Sequence, residues 1–358
     1  MGQREIKVCY MAGREYEYVR TRTVVLALQA AGFDVKMSLP PNKRFRHYPK
    51  ILWKFLKMKR KCDVVIVGFY GALLMPVVRL FTSKPVIFDI HSGTHETMLD
   101  WEKVKSKSIM AKFFYQVDKI TMKMADCIIL ESKDHIRNWS KTYGIPRNKF
   151  RHVFLAVDDN VIYPKPQNKN NRDAFLVHFH GEFAPFHGVE YILRAAHLLK
   201  DKGIEFQIIG FGTTYEKDMK LVKELNLTNC RFIRWVPYEK LADAMCRADV
   251  CLGFFGDRKR AYEVFTNKVV EAIAVKRPLV TMRNSPVQEL LEDGESVVFV
   301  NPGDPTALAD ALLNLKNNSR LRQRISENGH KVFLTHCTIE MFAKRLKEII
   351  TELVDLNN

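Results

Sequence analysis

The chain has 358 residues, long enough for two domains that each bury a hydrophobic core, and 47% of its residues are apolar. Its formal net charge at pH 7 is +17, from 57 lysines and arginines against 40 aspartates and glutamates. The composition excludes a low-complexity chain, and the seven scattered cysteines contain no CxxC pair, which argues against a zinc module or a disulfide framework.

The opening residues are polar and do not resemble a secretory signal. The longest apolar run, residues 64–78, contains Gly68, Gly71 and Pro76. Such a run is too short and too interrupted to cross a bilayer, and a buried strand followed by a short helix explains it better. Together with the cysteine pattern, these features lead us to expect a cytoplasmic protein in a reducing environment.

The first half of the chain alternates apolar strands with helices. Apolar and β-branched runs predict strands at 6–11, 34–38, 63–67, 86–90 and 127–130. Helical spacing predicts helices at 23–31, 110–125 and 135–143. Gly32, directly after the first of these helices, suits a helix C-terminus. This alternation is typical of a parallel sheet covered by helices.

A second series of the same kind follows a polar, proline-containing connection. Strands are predicted at 175–180, 206–210, 230–234, 250–254, 278–281 and 297–300. Helices are predicted at 189–202, 215–225, 238–247, 268–275, 286–291, 305–317 and 339–356. Asp304 followed by Pro305 is a favourable helix start.

Two successive α/β series predict two doubly wound domains. The expected boundaries are an N-terminal Rossmann-like domain at 1–163, a linker at 164–174, a C-terminal domain at 175–335, and a final helix at 336–358 that can pack back on the first domain. Ligands of such sheets bind at the carboxyl ends of the strands, so we expect a site in the cleft between the domains.

Two glutamates frame the predicted helix start near residue 268. Glu263 falls in a short polar connection, and Glu271 falls about one turn into the helix. Carboxylates at these positions suit hydroxyl groups at two parts of a ligand, and the free N–H groups of the helix start suit a phosphate between them. A nucleotide-sugar presents sugar, phosphate and ribose in this order. The open alternative is a solvated helix start.

Six segments in the second half carry a family resemblance. They are HGEFAPFHGVE at 180–190, IIGFG at 208–212, WVPYEKL at 235–241, ADV at 248–250, EVFTNKVVEAIA at 263–274 and NPGDP at 301–305. In this order they resemble the donor domain of the retaining nucleotide-sugar glycosyltransferases of group 1, the family of glycogen synthase and bacterial mannosyltransferases. The resemblance implies a GT-B architecture, with two Rossmann-like doubly wound domains facing across a cleft.

The resemblance also implies roles for individual residues. Glu271 would hold the ribose hydroxyls of the donor, and Glu263 would be catalytic near the reacting centre, since a carboxylate accepts strong hydrogen bonds from hydroxyls. His91, at the rim of a predicted strand, would face the transferred sugar as a second catalytic residue, with a satisfied loop histidine as the open alternative. Gly13 would let the backbone approach the donor phosphates.

The phosphate-binding loop departs from the family pattern. The family has an arginine and a lysine in the glycine loop, where this chain has Glu182 and His187. The departing nucleoside diphosphate carries negative charge that needs cations or N–H groups, because no metal motif is visible. His187 would contribute when protonated.

We expect groups around the predicted helix start to supply the rest of this charge. Lys268 and Arg260 are the candidate cations, with a solvated side chain as the alternative for Lys268. Backbone N–H groups near Gly181 and Thr266 are the candidate dipoles. Asn267 would either contact the donor or only cap the helix.

The positive charge of the chain is concentrated in residues 36–61, which contain no acidic residue. A helix there would carry one stripe of cations, namely Lys50, Lys54, Lys57 and Lys61, beside an apolar stripe of Ile51, Phe55 and Met58, with Trp53 nearby. Such a helix can lie on an anionic membrane surface with its apolar edge inward. The alternative is that the apolar stripe packs on the sheet. A nucleic-acid partner is not expected, because no recognition module is present.

These features favour an enzyme that transfers a sugar from a UDP- or GDP-linked donor, without a cofactor or metal, to a lipid-linked or polysaccharide acceptor at the cytoplasmic membrane face. Two alternatives stay open. One is a basic module that binds an anionic polymer or surface without catalysis. This alternative is supported by Glu182 and His187, which replace the basic pair of the family. The other is a nucleotide-sugar epimerase on the same architecture.

Overall fold

The computed structural model describes residues 5–166 and 174–356. They form two compact units. The first unit combines the chain up to Asp158 with the chain from Thr338 onward, and the second unit is Asp159–Cys337. Most of the predicted linker, residues 167–173, lies outside the described residues. In the two described stretches, no helix has both the length and the apolar character needed to span a bilayer.

The first unit is a parallel sheet with helices. Its elements are β1 (Lys7–Met11), α1 (Val19–Ala30), β2 (Asp34–Ser38), α2 (Tyr48–Met58), β3 (Val64–Val67), α3 (Met75–Phe81), β4 (Val86–Asp89), α4 (Thr94–Asp100), α5 (Ile109–Met124), β5 (Cys127–Leu130), α6 (Lys133–Tyr143) and β6 (Phe150–His152). The strand order is β2-β1-β3-β4-β5-β6. The order reverses between β1 and β3, so the loops after these strands border the position where such sheets bind ligands.

Both faces of this sheet are covered, as the strand sequences require. Alternate residues of a strand point to opposite faces. Val8 and Tyr10 of β1 pack in a cluster with α1, whereas Cys9 and Met11 pack in a second cluster with α2. Strands buried on both sides read as continuous apolar runs, which is why β1, β3, β4 and β5 were predicted to within one residue at each end.

The second unit contains another parallel sheet. Its elements are β7 (Phe175–His180), α7 (Val189–Leu198), β8 (Ile204–Ile209), α8 (Tyr215–Glu224), β9 (Cys230–Ile233), α9 (Tyr238–Arg247), β10 (Val250–Leu252), α10 (Lys259–Glu263), α11 (Asn267–Ala274), β11 (Leu279–Met282), α12 (Ser285–Gln288), β12 (Val298–Val300), α13 (Pro305–Asn317) and α14 (Ser319–His336). The strand order is β12-β11-β10-β7-β8-β9. This is the order of dinucleotide-binding Rossmann domains, with the switch point between β7 and β10.

The last helix, α15 (Ile339–Asp355), belongs to the first unit. It packs against α1 through a buried stripe that includes Phe342, Leu346 and Ile350. Arg151 at the edge of the sheet is ion-paired with Glu352 of this helix at 2.6 Å. Helical spacing of apolar residues on α15 explains why it binds along one face.

The prediction missed several short elements. Strand β6 went unrecognised because it is three residues long and two of these, Arg151 and His152, are polar. Helix α4, of seven residues, was also missed, whereas the short helix expected after the strand at 64–67 is α3. By contrast, the Asp304 side chain accepts a hydrogen bond from the N–H of Ala307 at 2.9 Å, so the predicted start of α13 is confirmed.

Candidate functional site

The end of β7 and the start of α11 bring together most of the predicted donor-binding residues of the second unit. Gly181 directly follows β7 with a φ of +138°, a conformation that favours glycine. A Cβ atom there would lie 2.9 Å from both Cε and Nζ of Lys268. Lys268 therefore reaches across the strand end because residue 181 has no side chain.

Lys268 and His187 form a buried pair. Nζ of Lys268 donates to Nε2 of His187 at 2.8 Å, and Nδ1 of His187 donates to the backbone carbonyl oxygen of Glu182. Burial, and then the charge of Lys268, hold the pKa of His187 well below its ordinary value of 6.5. His187 is therefore neutral, and the prediction that it supplies positive charge when protonated is wrong.

Burial also lowers the pKa of Lys268 itself, from 10.5 to about 7, although Glu271 and Glu182 act in the opposite direction. Only 5% of this residue is exposed, so the alternative of a solvated lysine is excluded. At neutral pH the ammonium form is only partly populated. An anion bound beside Nζ would favour the charged form, so the site is suited to an incoming phosphate.

The start of α11 has no side-chain cap. The helix begins at Asn267, and Thr266, the residue before it, makes no capping hydrogen bond through its side chain. The prediction that Asn267 caps the helix is therefore wrong. Within 5–166 and 174–356, the buried Oγ1 of Thr266 has no hydrogen-bond partner. An anion bound at a helix start can accept hydrogen bonds from the uncapped N–H groups and from this hydroxyl.

Glu271 ends a relay of buried hydrogen bonds. Its Oε2 lies 2.8 Å from Nε2 of His180. Nδ1 of His180 lies 3.0 Å from Nε2 of His178, and Nδ1 of His178 lies 3.0 Å from the amide nitrogen of Gln207. The same amide nitrogen lies 3.5 Å from the carbonyl oxygen of Ala244.

The chemistry of Gln207 fixes the direction of this relay. Its amide nitrogen only donates, so Nδ1 of His178 accepts and Nε2 of His178 donates to His180. By the same reasoning, Nε2–H of His180 donates to Glu271. Burial, and then the neighbouring His180, hold the pKa of His178 well below 6.5, which keeps this histidine neutral. Glu271 is thus held as an acceptor through Oε2, and its Oε1 is left for a ligand.

Glu263 is the last residue of the five-residue helix α10, so its predicted place in a polar connection is wrong. Its side chain is 16% exposed, and Oε1 lies 3.6 Å from Nζ of Lys259. Arg260, in the same helix, places its guanidinium 4.8 Å from the ring centroid of Phe186. Its charge contributes to the low pKa of His187, so Arg260 lies near the Lys268 pair.

Gly13 and His91 belong to the first unit, at the ends of β1 and β4. A Cβ atom on Gly13 would lie 2.3 Å from the hydroxyl oxygen of Tyr48 and from the carbonyl oxygen of Tyr70, so close packing demands glycine here. His91 has a φ of +53°, and its Nδ1 lies 3.7 Å from Oε2 of the buried Glu131. The strand-end position of His91 is as expected, and its role stays a prediction.

The apolar stripe of the basic segment faces the core. Ile51 and Phe55 of α2 are buried in the cluster that contains Cys9 and Met11. The prediction that this stripe enters a membrane is therefore wrong, and the alternative that it packs on the sheet is confirmed.

The cationic stripe is shorter than predicted. Helix α2 ends at Met58, and Lys61 lies in the following turn, which leaves Lys50, Lys54 and Lys57 on the helix. Trp53 is 55% exposed, and Nζ of Lys57 lies 3.4 Å from its ring centroid. The outer side of α2 therefore presents cations and one aromatic ring.

Sequence reasoning missed the relay behind Glu271. His178 and His180 alternate in a strand whose other residues are apolar, and alternate positions share one face of the sheet. The sequence did contain a signal for this relay, namely two polar side chains on one face of a fully buried strand. Buried polar groups need hydrogen-bond partners, so such a pair predicts a buried network. Their connection to Glu271, 91 positions from His180, is visible only in the folded chain.

Two family models match the chain. The model Glycosyl transferases group 1 matches residues 163–332, and the model Glycosyltransferase Family 4 matches residues 10–161. An uncharacterized glycosyltransferase of Methanocaldococcus jannaschii is 26% identical over 288 residues, which cover 80% of this chain and 73% of that protein. The capsular polysaccharide biosynthesis glycosyltransferase CapM of Staphylococcus aureus is 20% identical over 335 residues, covering 85% of this chain and 86% of CapM.

Solved structures show the same fold. Sucrose-phosphate synthase from Thermosynechococcus elongatus superposes with a TM-score of 0.80 at 18% identity, over 98% of this chain and 100% of that chain. Anabaena HepE, solved in complex with UDP and glucose, superposes with a TM-score of 0.78 at 12% identity, over 97% of this chain and 100% of that chain.

Proposed function

The chain belongs to the group 1 glycosyltransferases and carries the two Rossmann-like domains of the GT-B fold. From this premise we propose that it is a retaining, metal-independent hexosyltransferase. It takes the sugar from a UDP- or GDP-linked donor and transfers it to a lipid-linked or polysaccharide acceptor at the cytoplasmic membrane face.

The observation that carries this proposal is the placement of Lys268 and Glu271 three positions apart at an uncapped helix start. Lys268 is a buried cation whose pKa of about 7 leaves it ready to gain charge beside an anion. Glu271, three positions later on α11, offers an oriented carboxylate oxygen. A diphosphate beside Lys268 places its ribose hydroxyls at the distance of one helical turn, where Glu271 accepts from them.

In the reaction, the bond between the anomeric carbon and the diphosphate oxygen breaks, and the nucleoside diphosphate leaves with the electron pair. The acceptor oxygen bonds to the same carbon on the face that the diphosphate leaves, and the proton of the acceptor hydroxyl passes to the leaving diphosphate. Lys268 and the N–H groups of α11 stabilise this negative charge as it develops in the transition state. Glu263 stands at the end of the preceding helix, where a carboxylate can hold the hydroxyls of the transferred sugar. His187 acts by orienting Lys268 rather than by carrying charge.

The first experiment is a thermal-shift and hydrolysis screen against UDP- and GDP-sugars. UDP-glucose is the first donor to test, because HepE was also solved with it. We expect slow hydrolysis of one donor, unaffected by a metal chelator. Nuclear magnetic resonance of the glycoside product tests retention, since the anomeric configuration of the donor must survive. Binding of no nucleotide-sugar at all contradicts the proposal.

One observation favours a second candidate, a basic module that binds anions without catalysis. Glu182 stands in the loop where the family has an arginine, and its charge acts on Lys268. A carboxylate there opposes diphosphate binding. Donor hydrolysis separates the two candidates. In an enzyme, the variant Glu182→Arg should raise donor affinity. In a binding module that does not hydrolyse the donor, the same variant should still show no hydrolysis.

Membrane-face action is proposed from the outer side of α2. Lys50, Lys54 and Lys57 are exposed together with Trp53, and each lysine near an anionic surface contributes about 1 kcal/mol. Replacement of the three lysines by glutamine should abolish sedimentation with anionic vesicles at low salt. Sedimentation that persists contradicts membrane-face action and has no bearing on the proposed donor site.

A further inference from the structure

A polar cavity of about 560 Å³ lies in the second unit. Its walls come from the amino-terminal parts of β7, β8 and β9 and from the last residue of α9. The candidate donor-binding residues follow the carboxyl end of β7, so this cavity lies toward the other end of the same strands. Its volume is typical of sites that hold a small molecule.

Gln207 connects this cavity to the relay behind Glu271. It lines the cavity and is only 6% exposed. Its amide nitrogen donates to His178 and lies 3.5 Å from the carbonyl oxygen of Ala244. Its amide oxygen makes no hydrogen bond within residues 5–166 and 174–356 and is not closed off from solvent, so it faces the cavity. A nearly buried acceptor in this position suits a hydrogen-bond donor on a ligand.

Arg231 adjoins Gln207 on the edge strand. In the sheet register, Gln207 is paired with Arg231 of β9 on one side and with His178 of β7 on the other. Paired residues of neighbouring strands share a face of the sheet and lie about 4.8 Å apart. The three side chains therefore form a row from the buried relay to the edge of the sheet. Arg231 is exposed, lines the cavity, and has no ion-pair partner among the described residues.

Arg247 brings a second guanidinium group to the cavity. It ends α9 three positions after Ala244, whose carbonyl oxygen faces the Gln207 amide. Burial, then His180, and then the charge of Arg247 hold the pKa of His178 well below 6.5, so this guanidinium lies near the row. Arg247 is exposed and lines the cavity together with Arg231. Two guanidinium groups beside one cavity suit a phosphate group, which arginine binds through paired hydrogen bonds.

The remaining polar lining favours hydroxyl groups. Glu205 lines the cavity two positions before Gln207 on β8, and alternate residues of a strand share one face. Its carboxylate and the amide oxygen of Gln207 both accept hydrogen bonds from hydroxyls. One carboxylate against two guanidinium groups leaves the wall with a net positive charge. A ligand that joins a phosphate to hydroxyl groups matches both parts of the lining.

We propose that this cavity binds a small phosphorylated polyol, with its phosphate between Arg231 and Arg247 and one hydroxyl group donating to the amide oxygen of Gln207. This bond polarises the amide, so that its N–H donates more strongly to His178, and the relay carries the effect to Glu271. Glu271 is then held more firmly as an acceptor, and the polyol phosphate and the donor bind cooperatively. The coupling to a donor rests on the proposed function, whereas binding in the cavity does not.

Calorimetry on the full chain with glycerol 3-phosphate as the probe tests the site. Propyl phosphate has the same phosphate and carbon chain but no hydroxyl group. It should bind about fivefold more weakly, because the Gln207 oxygen then lacks a donor. Inorganic phosphate should also bind more weakly, and glycerol should not bind at the same concentrations. Equal affinity for glycerol 3-phosphate and propyl phosphate overturns the proposal.

Paired variants locate the bound phosphate. Arg231→Ser and Arg247→Ser change exposed side chains, so the fold should survive, and each should weaken glycerol 3-phosphate binding about tenfold or more. Arg320→Ser, at an exposed position of α14, should leave the affinity unchanged. Lys268→Met should also retain binding, because that lysine belongs to the donor site. Binding that is lost in Lys268→Met and kept in both cavity variants places the phosphate at the donor site and refutes the cavity.

The variant Gln207→Met separates the hydroxyl contact from the phosphate contact. Methionine offers no amide, so glycerol 3-phosphate and propyl phosphate should bind this variant with equal affinity. Arg231→Ser should instead weaken both ligands and keep the preference for glycerol 3-phosphate. The midpoint of thermal unfolding checks that Gln207→Met is folded. A preference for glycerol 3-phosphate that survives in folded Gln207→Met contradicts the assigned hydroxyl contact.

UDP and GDP binding test the coupling. Saturating glycerol 3-phosphate should raise the affinity for the nucleotide that binds at least about threefold, and the nucleotide should raise glycerol 3-phosphate affinity by the same factor, because coupling is reciprocal. Gln207→Met should show no enhancement. Unchanged nucleotide affinity in the wild type overturns the coupling and keeps the cavity site. A chain that binds glycerol 3-phosphate but no nucleotide refutes the proposed donor site and also keeps the cavity site.

Discussion

The variant Lys268→Met should make the protein more stable at neutral pH and abolish its reaction with a donor. In the unfolded chain the lysine has its ordinary pKa of 10.5, and in the fold its pKa is about 7. The unfolded state therefore binds more protons between these values, so the unfolding free energy of the wild type rises with pH across this window. At about 1.4 kcal/mol per pKa unit, the buried lysine costs about 4 kcal/mol at neutral pH.

The variant also loses a hydrogen bond. Nε2 of His187 accepts from Lys268 and would be left buried without a donor, which costs about 1–3 kcal/mol. The desolvation of the charge outweighs this loss, so we expect a net gain of about 2 kcal/mol for Lys268→Met near pH 7. Methionine fills a similar volume and adds no strain of its own.

Urea unfolding of both proteins, at intervals from about pH 7 to about pH 9, measures the difference. The advantage of Lys268→Met should shrink by up to about 1.4 kcal/mol for each pH unit, because the wild type loses its buried proton. Lys223→Met, an exposed position on α8, is the matched control and should differ from the wild type by a constant amount. A constant difference for Lys268→Met as well would refute the assignment of a buried, titrating lysine.

Other predictions concern the donor site. Donor affinity of the wild type should fall by up to about tenfold per pH unit above about pH 7, and Lys268→Met should show no such dependence in calorimetry, because the donor's pyrophosphate keeps its charge. Glu271→Gln should weaken nucleotide binding by about 10- to 100-fold; equal affinity would remove Glu271 from the ribose. His180→Phe should raise the donor KM, whereas His180→Gln retains an N–H donor and should preserve most of the affinity; equal loss in both would contradict the relay. Glu263→Gln should lower kcat more than donor affinity, and an unchanged kcat would exclude a catalytic carboxylate.

The sequence by itself determined the two sheets and most of their strands. Residues 127–130 and 175–180 were predicted with the bounds that the structure has. A strand buried on both faces is predominantly apolar, and that requirement is local. The start of α13 after Asp304 was predicted from equally local information, since a capping side chain accepts from an N–H three residues away. Residue identity and short spacing were enough for these features.

The tertiary structure alone decided the charge states and the partners of the site. His187 and Lys268 have ordinary side chains in the sequence, and only their burial makes one neutral and lowers the pKa of the other to about 7. Likewise, His180 meets Glu271 only because β7 and α11 are adjacent in the fold. Electrostatic energy depends on distance and on exclusion of water, which are properties of the packed chain rather than of sequence spacing.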